Sequence, residues 1–472
     1  IMLRDRNTKI IATLGPSSSS PSRIHSLFQA GADIFRLNFS HSNHYEHRKR
    51  VFHIRQYEKR IGRPIAILGD LQGPKLRIGN FRKSSHFLKE GEKFVLDLSS
   101  ELGNEKRVFL PHPEIFKSVQ QNTEILIDDG KIKLSVTNSS DEKIETEILT
   151  GGKISNNKGV NLPKTFIKLS PLTTKDLKDL ELALDLSLDY IALSFVQKSK
   201  DLIKLRKIIK GQTGIMSKFE KPLAIQNMDE ILDFSDAAMV ARGDLGVEMP
   251  PEDVPIIQKK LVEASRNHGK PVVVATQMLD SMINAPSPTR AEASDIATAV
   301  YDSADCLMLS AETAAGKYPV ESVKIMDRII RGVESDTSYR QLIESKQVSL
   351  EETTSDAISS AASQVVKTVS AKAIFTYTRS GTTAKRASRE RPSVPIIGLS
   401  PERLTSRQLA MIWGVHTIHA LEPKSFSGMI ENACKLAKKE GIVKKGDSVV
   451  VTAGAPIGVS GSTNNLRIAK IS

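Results

Sequence analysis

Short apolar runs recur along the first two thirds of the chain, at 9–14, 32–40, 64–71, 189–195, 214–220, 237–244, 271–278 and 304–310. Runs this short, bounded by turn residues, predict strands. Between them lie amphipathic segments at 21–30, 46–61, 177–184, 201–209, 228–234, 256–267 and 290–301, which predict helices. Strand and helix in alternation imply parallel βαβ units. Successive strands start 23 to 34 residues apart, except between Pro64 and Asp189, where the gap is 125. A gap of that size holds an inserted domain. Its pattern alternates with period two, as in "KFVLDLSS" and "EILIDDGKIKLSV", and Asp128-Asp129-Gly130 is a hairpin turn signal.

The predicted fold is therefore α/β: a (β/α)8 TIM barrel over 1–70 and 158–333, with a β lid domain inserted at 71–157. Eight evenly spaced units in roughly 250 residues favour a closed barrel over an open doubly wound sheet. After 333 the chain turns polar, in "ESDTSYRQLIESKQVSLEETTSD", which reads as a boundary. Strands at 373–378, 395–399, 415–420, 448–452 and 466–471, with helices between, then predict a separate C-terminal α/β domain over 334–472.

Such barrels place chemistry at the carboxyl ends of their strands. Those ends carry Arg36, Asn38, Ser40 and His41, then Asp70, then Lys218 and Glu220, then Arg242 and Asp244, then Thr276, and finally Ser310. The strand starts carry nothing comparable. Glu220 and Asp244, on adjacent strands with no histidine or cysteine nearby, suit Mg²⁺ or Mn²⁺ rather than zinc. Lys218 lies two residues before Glu220, on the same side of its strand. It either neutralises Glu220 or meets a phosphoryl group in transfer, and the two readings are compatible. Arg36 and Arg242 either extend this cationic wall or form ion pairs at the rim. The glycines of "ARGDLGVE" let backbone N–H groups approach an anion at a helix start. The chain has no G-x-x-x-x-G-K-[ST] loop, no G-x-G-x-x-G after a strand, and no protein-kinase motif set.

Nine ordered motifs carry a resemblance over essentially the whole chain: "TKIIATLGPSS", "FRLNFSH", "GDLQGPKLRIG", "KGVNLP", "SKFEKPLAIQNMDEI", "VARGDLGVE", "ATQMLDSM", "PTRAEASDIATAV" and "DCLMLSAETAAGKYP". They resemble pyruvate kinases, of the bacterial type and the K⁺-independent branch. The resemblance implies a glycolytic enzyme that moves the phosphoryl group of phosphoenolpyruvate to ADP, giving pyruvate and ATP. It implies a divalent metal on Glu220 and Asp244, with Lys218 and Arg36 at the phosphoryl group. Gly243, Asp244 and Thr276 would hold the substrate carboxylate, and Thr276 with Ser310 would deliver a proton to the enolate. His41, Asn38, Arg77 and Lys158 would face the nucleotide. Segment 290–300 resembles a subunit-interface helix, which implies a homotetramer.

Four residues beside these positions depart from the family's commonest pattern: Ser42, Lys164, Phe219 and Ala311. A fifth departure concerns the monovalent cation, whose site would comprise Asn38, Ser40, Asp70 and Leu71. Here Lys75 follows "GP", where K⁺-dependent relatives carry glutamate. Its ammonium can replace K⁺; alternatively Lys75 is a solvated surface lysine and K⁺ still binds. In the C-terminal domain, Thr378, Arg379, Ser380, Gly381, Thr382 and Thr383 open a predicted helix, with Lys385, Arg386 and Arg389 close in sequence. They form either an ordinary helix cap or a phosphate cradle. The family likeness favours the cradle, for an activating sugar phosphate or AMP.

Composition narrows the rest. The formal charge is +13 with only 5% aromatic residues, so anionic partners are expected and base stacking is not. The excess is local: residues 1–70 carry 12 bases and 5 acids, and residues 334–472 carry 19 and 12. No recognition motif supports nucleic-acid binding. Two cysteines, Cys306 and Cys434, exclude a disulfide framework and fit a cytoplasmic location. Both read as packing residues, and Trp413 has no assigned role. No apolar run suits a membrane helix and no leader precedes the first strand. The enzymatic rival is a metal-dependent pyruvate–enolate aldolase or decarboxylase on the same barrel.

Overall fold

The computed structural model describes residues 3–163, 165–167, 169–346, 352–421, 423–457, 459 and 462–471. Lys164 lies outside them, as does part of the polar segment after 333.

Eight parallel strands close into a barrel in chain order: Lys9–Leu14, Ile34–Asn38, Ala66–Asp70, Tyr190–Leu193, Gly214–Phe219, Ala237–Ala241, Val272–Ala275 and Cys306–Leu309. The last closes on the first, with Lys9 opposite Cys306. Side chains alternate as strand geometry requires. Phe35, Leu37, Ile67 and Val274 pack outward under the helices. Ile34, Leu68, Tyr190, Met216, Met239 and Met308 fill the interior, where Ala410 and Met411 from the C-terminal domain join them.

Two expectations are corrected. The sixth strand stops at Ala241, and Arg242–Glu248 is helical. Asp244 therefore sits in a first helical turn rather than on a strand. The polar stretch after 333 also holds the helix Thr337–Ser345, because Tyr339 and Ile343, four apart, bury one face. Elsewhere capping chemistry sets boundaries where the sequence marks them. Thr289 and Glu292 form a capping box that opens the helix Arg290–Tyr301.

The inserted segment, with Val160–Asn161 just beyond it as an edge strand, forms a six-stranded sheet and a two-stranded one over an apolar core to which Val160, Leu162 and Ile167 also contribute. Its hairpin turns with φ near 55° at Asp129 and 85° at Gly130, closed by Lys131 N–H to Asp128 O at 3.2 Å. Positive φ at both central residues matches the twist of the flanking strands. The C-terminal sheet orders Val415–His419, Ile396–Ser400, Ile374–Tyr377, Ser448–Gly454 and Thr463–Lys470, the last antiparallel.

At the amino-terminal end of the barrel, Asp33 gathers the chain start. Its carboxylate accepts from Arg4 Nε at 3.2 Å, Arg6 at 2.8 Å, Arg63 at 3.4 Å and the Ile10 N–H at 3.1 Å. Burial opposes that charge, but Arg6, Arg4, Lys9 and Arg63 outweigh it and hold the carboxyl well below the usual range.

Candidate active site

The site is built at the carboxyl-terminal mouth. The strand register sets Leu193 opposite Ser217, which brings Ser194 beside Lys218. Lys218 Nζ contacts Glu220 Oε1 at 2.7 Å, Ser194 Oγ at 2.8 Å and Asp70 Oδ1 at 3.4 Å. Burial disfavours this ammonium, but Asp70, Glu220 and Asp244 more than offset it and raise its pKa. Arg36 meets the other oxygen of Asp70, through Nε at 2.8 Å, and donates to Thr13 Oγ at 3.1 Å. Asp70 thus accepts two cations at once and is held below its ordinary range despite burial.

Glu220 is fully enclosed and accepts from the Phe195 N–H at 2.9 Å. Burial raises its pKa; Lys218 pulls it down, and Asp244 pushes it up again. Asp244 is exposed to the mouth. A divalent cation between these two carboxylates would relieve both the burial cost and the repulsion. Among the described residues no group of three or more His, Cys, Asp and Glu gathers at one point. Other positions around such an ion would fall to substrate oxygens and water, the usual situation for Mg²⁺. Oxygen donors and the lack of soft ligands fit that ion.

Thr276 and Gln277 both adopt positive φ, 68° and 55°, which brings the Thr276 hydroxyl against the helix start. The Gly243 N–H donates to Thr276 Oγ at 2.8 Å, and that hydroxyl donates to Ala275 O at 2.6 Å. A Cβ on residue 243 would lie 3.3 Å from Thr276 Oγ, so glycine keeps the approach open. Arg242 does not join the cationic wall. It pairs with Asp295 at 2.7 Å and donates to the carbonyls of Thr276 at 2.6 Å and Gln277 at 3.2 Å, bracing the strained turn. Ser310 precedes the short helix Ala311–Ala314 without a side-chain capping bond, and its N–H donates to the buried Glu312 at 2.6 Å.

A cleft of about 1010 Å³ opens over these groups, lined by Gly243, Asp244, Thr276, Lys75 and the lid's Asp129. Lys75 and His41 are exposed, while Asn38 and Ser40 are half-buried, with Asn38 Oδ1 accepting the Ser40 N–H at 3.0 Å. Partial burial, then the charges of Lys75, Arg36 and Arg77, lower the His41 pKa. Leu71 is buried, its N–H on Ala192 O at 3.1 Å. At the hinge, Arg77 donates to Asn157 O at 2.6 Å, and Lys158 pairs with Asp128 at 2.9 Å. Asn161 reaches Glu248 on the barrel at 2.7 Å.

Ser194 and Thr13 escaped the reading of strand ends. Ser194 closes the fourth strand, whose end carries no charge to draw notice; register with Lys218 is the signal that finds it.

In the C-terminal domain, Gly381 takes φ 85° and its N–H donates to Thr378 Oγ at 2.9 Å, turning the loop into the helix Thr382–Arg389. Ser380 and Thr382 share a hydroxyl contact at 2.9 Å, whereas Thr383 is buried on Thr463 at 2.6 Å. The cations close in sequence do not all serve this loop. Arg386 and Arg389 both pair with buried Asp356, at 2.7 and 2.5 Å. Lys385 faces a crevice toward the barrel. Arg379 stays with the loop, 3.7 Å from Glu402.

A family model described as pyruvate kinase, barrel domain, matches residues 5–323, and one described as pyruvate kinase, alpha/beta domain, matches 356–469. A pyruvate kinase of Methylorubrum extorquens is 48% identical, over 99% of this chain and 98% of that protein. One of Geobacillus stearothermophilus is 42% identical, over 99% of this chain and 81% of that protein. A crystal structure of a pyruvate kinase from Cryptosporidium parvum superimposes with a TM-score of 0.93 at 35% identity, covering 99% of this chain and 97% of that one. With a closed barrel, an inserted β lid and a lysine–carboxylate mouth already in place, these matches settle the lineage: the chain belongs to the pyruvate kinase family.

Proposed function

We propose that the mouth transfers the phosphoryl group of phosphoenolpyruvate to ADP, releasing pyruvate and ATP. The observation that carries this reading is the placement of Lys218, a buried ammonium held by three oxygen partners beside the two candidate metal carboxylates. Such a charge, fixed in advance, stabilises negative charge as it spreads over the non-bridging oxygens in transfer. Glu220 and Asp244 would hold Mg²⁺ or Mn²⁺, which when bound would supply positive charge to anionic substrate oxygens. Arg36 supports Lys218 through their shared Asp70. The Gly243–Asp244 backbone and Thr276 orient the substrate carboxylate. Thr276 and Ser310 belong to the path that protonates the enolate carbon. Asn38, His41, Arg77 and Lys158 take the nucleotide, and closing of the lid keeps water from the transfer.

The functional units are the barrel, 1–70 with 158–333, the lid at 71–157 and a regulatory domain at 334–472. We place the enzyme in the cytoplasm as a homotetramer joined through the helix Arg290–Tyr301; among the described residues no helix is long and apolar enough to cross a membrane. A sugar phosphate or AMP binds the loop Thr378 to Thr383 and activates.

A coupled assay of pyruvate formation tests the reading. Pyruvate from phosphoenolpyruvate is expected only with both ADP and a divalent cation; metal-dependent, ADP-independent pyruvate release from a 4-hydroxy-2-oxo acid or oxaloacetate would support the aldolase or decarboxylase instead. In sodium buffer free of potassium the rate should stay within about two-fold of that with KCl, because Lys75 supplies the charge. Lys75→Glu should then create a potassium requirement of tenfold or more, on the order of 1.4 kcal/mol. A large gain of the parent enzyme on adding KCl overturns the Lys75 assignment. A saturation curve for phosphoenolpyruvate that no sugar phosphate or AMP moves overturns the effector assignment.

A further inference from the structure

The barrel and the C-terminal domain meet at a second concentration of positive charge, far from the catalytic mouth. Strand starts there looked unremarkable in sequence because the charges come from both domains. Arg266 and Lys270, before the seventh strand, face Lys385, Arg389 and Arg391 across a crevice whose only lining acid is Asp305. Asp305 is taken by Arg391 at 2.9 Å, and Asp356 by Arg386 and Arg389. Arg266 spends its donors on the Arg389 carbonyl, at 3.1 and 3.0 Å. Among the described residues, no hydrogen bond or ion pair engages the side chains of Lys270 or Lys385. Asp236 lies within electrostatic reach of both lysines but is bonded to Arg206 at 3.0 Å.

Two guanidinium nitrogens point the same way. Arg389 and Arg391 are 5% and 2% exposed, and Nε of each lacks a hydrogen bond, with the Glu390 carboxylate standing 3.7 Å from that of Arg389. A buried cation with an unmade hydrogen bond costs free energy until an acceptor arrives. The repulsion registers on the groups themselves. Burial, then Arg391, lowers Arg266 to about 10, and burial lowers Lys270 and Lys385.

We propose that this crevice is a binding site for one small inorganic oxyanion, with phosphate the probe of choice, that bridges the barrel to the C-terminal domain. It offers about 20 Å³ to water-sized atoms, little more than one water needs, so a compact oxyanion lies across its opening rather than enclosed within it. Lys270 and Lys385 supply the unpaired charge, one from each domain. The site is distinct from the loop at Thr378–Thr383, since Lys270 belongs to the barrel.

Trp413, the chain's single tryptophan, reports on it directly. The Arg391 guanidinium stacks over its ring at 4.6 Å, so an anion on Arg391 perturbs the indole. The experiment titrates the full-length enzyme with sodium phosphate, without divalent metal, at ionic strength held constant by gluconate. Tryptophan emission and Tm are both read. Phosphate should raise Tm by about 2–4 °C at saturation, with a saturable emission change of the same midpoint. Lys270→Met and Lys385→Met should each weaken that response tenfold or more, while Lys385→Arg retains it. Without phosphate the two methionine variants should melt at or above the parent, since each removes an unpaired charge. Glycerol phosphate should have little effect; if it acts and phosphate does not, the inorganic assignment is overturned. A parent enzyme indifferent to phosphate in both signals, or variants that respond as the parent does, overturns the site itself.

Discussion

Lys218→Met should lose about three orders of magnitude in kcat, roughly 4 kcal/mol of transition-state stabilisation. The reason is geometric. The ammonium is poised among Glu220, Asp70 and Ser194 before substrate arrives, so no reorganisation is needed as charge develops on the phosphoryl group. Its stabilisation is greatest in the transition state, so kcat and kcat/KM should fall together with KM little changed. A variant that keeps kcat and only raises KM would make Lys218 a substrate anchor. Ser194→Ala separates positioning from chemistry. It removes one partner of Nζ and leaves the charge, so a loss of about tenfold in kcat with unchanged KM is expected.

Asp33→Asn should be the most damaging single change for stability, at about 3–5 kcal/mol. The neutral amide removes the charge that enclosed Arg6 and Arg63 face at Asp33, leaves Arg6 its 2.7 Å pair with Asp327, and unties the chain start from the barrel end. Thermal melting should fall by about 3–5 °C. The same interaction gives a pH dependence of definite sign. The folded carboxyl is depressed relative to an unfolded value near 4. Its contribution is therefore complete above that value, and shrinks as pH falls below about 4 toward the folded pKa. The Asn variant should lack that part of the acid sensitivity. Equal melting temperatures for parent and variant at neutral pH would contradict the role given to Asp33.

What was legible in the sequence followed from pattern and chemistry that are local. Eight apolar runs at regular spacing encode a barrel because each strand is buried on both faces, and the period-two insertion stands out against them. The mouth residues were found by asking what each strand ends on. The misses are non-local. For Arg242 the sequence leaves a cationic wall and a rim ion pair both open, and contacts to Asp295 and to the strained carbonyls of Thr276 and Gln277, all distant in sequence, select the pair. Asp244 reads as a strand end because Ala237 to Ala241 is apolar, and only the tertiary fold shows the chain coiling at once into a helix. Arg386 and Arg389 seem to flank the loop at Thr378–Thr383, but Asp356, thirty residues earlier, takes both. Ser194 carries no charge and is visible only through register.

On the reading proposed above, this mouth moves a phosphoryl group between two bound substrates. Phosphorus NMR of the purified enzyme with phosphoenolpyruvate, ADP and Mg²⁺ follows that transfer directly. The phosphoenolpyruvate signal should be replaced by the γ-phosphate of ATP, with one pyruvate formed per ATP and almost no inorganic phosphate. Under the same conditions Lys218→Met should leave the phosphoenolpyruvate signal nearly unchanged. Phosphoenolpyruvate consumed with inorganic phosphate as the phosphorus product, or ATP formed at the parent rate by Lys218→Met, would contradict it.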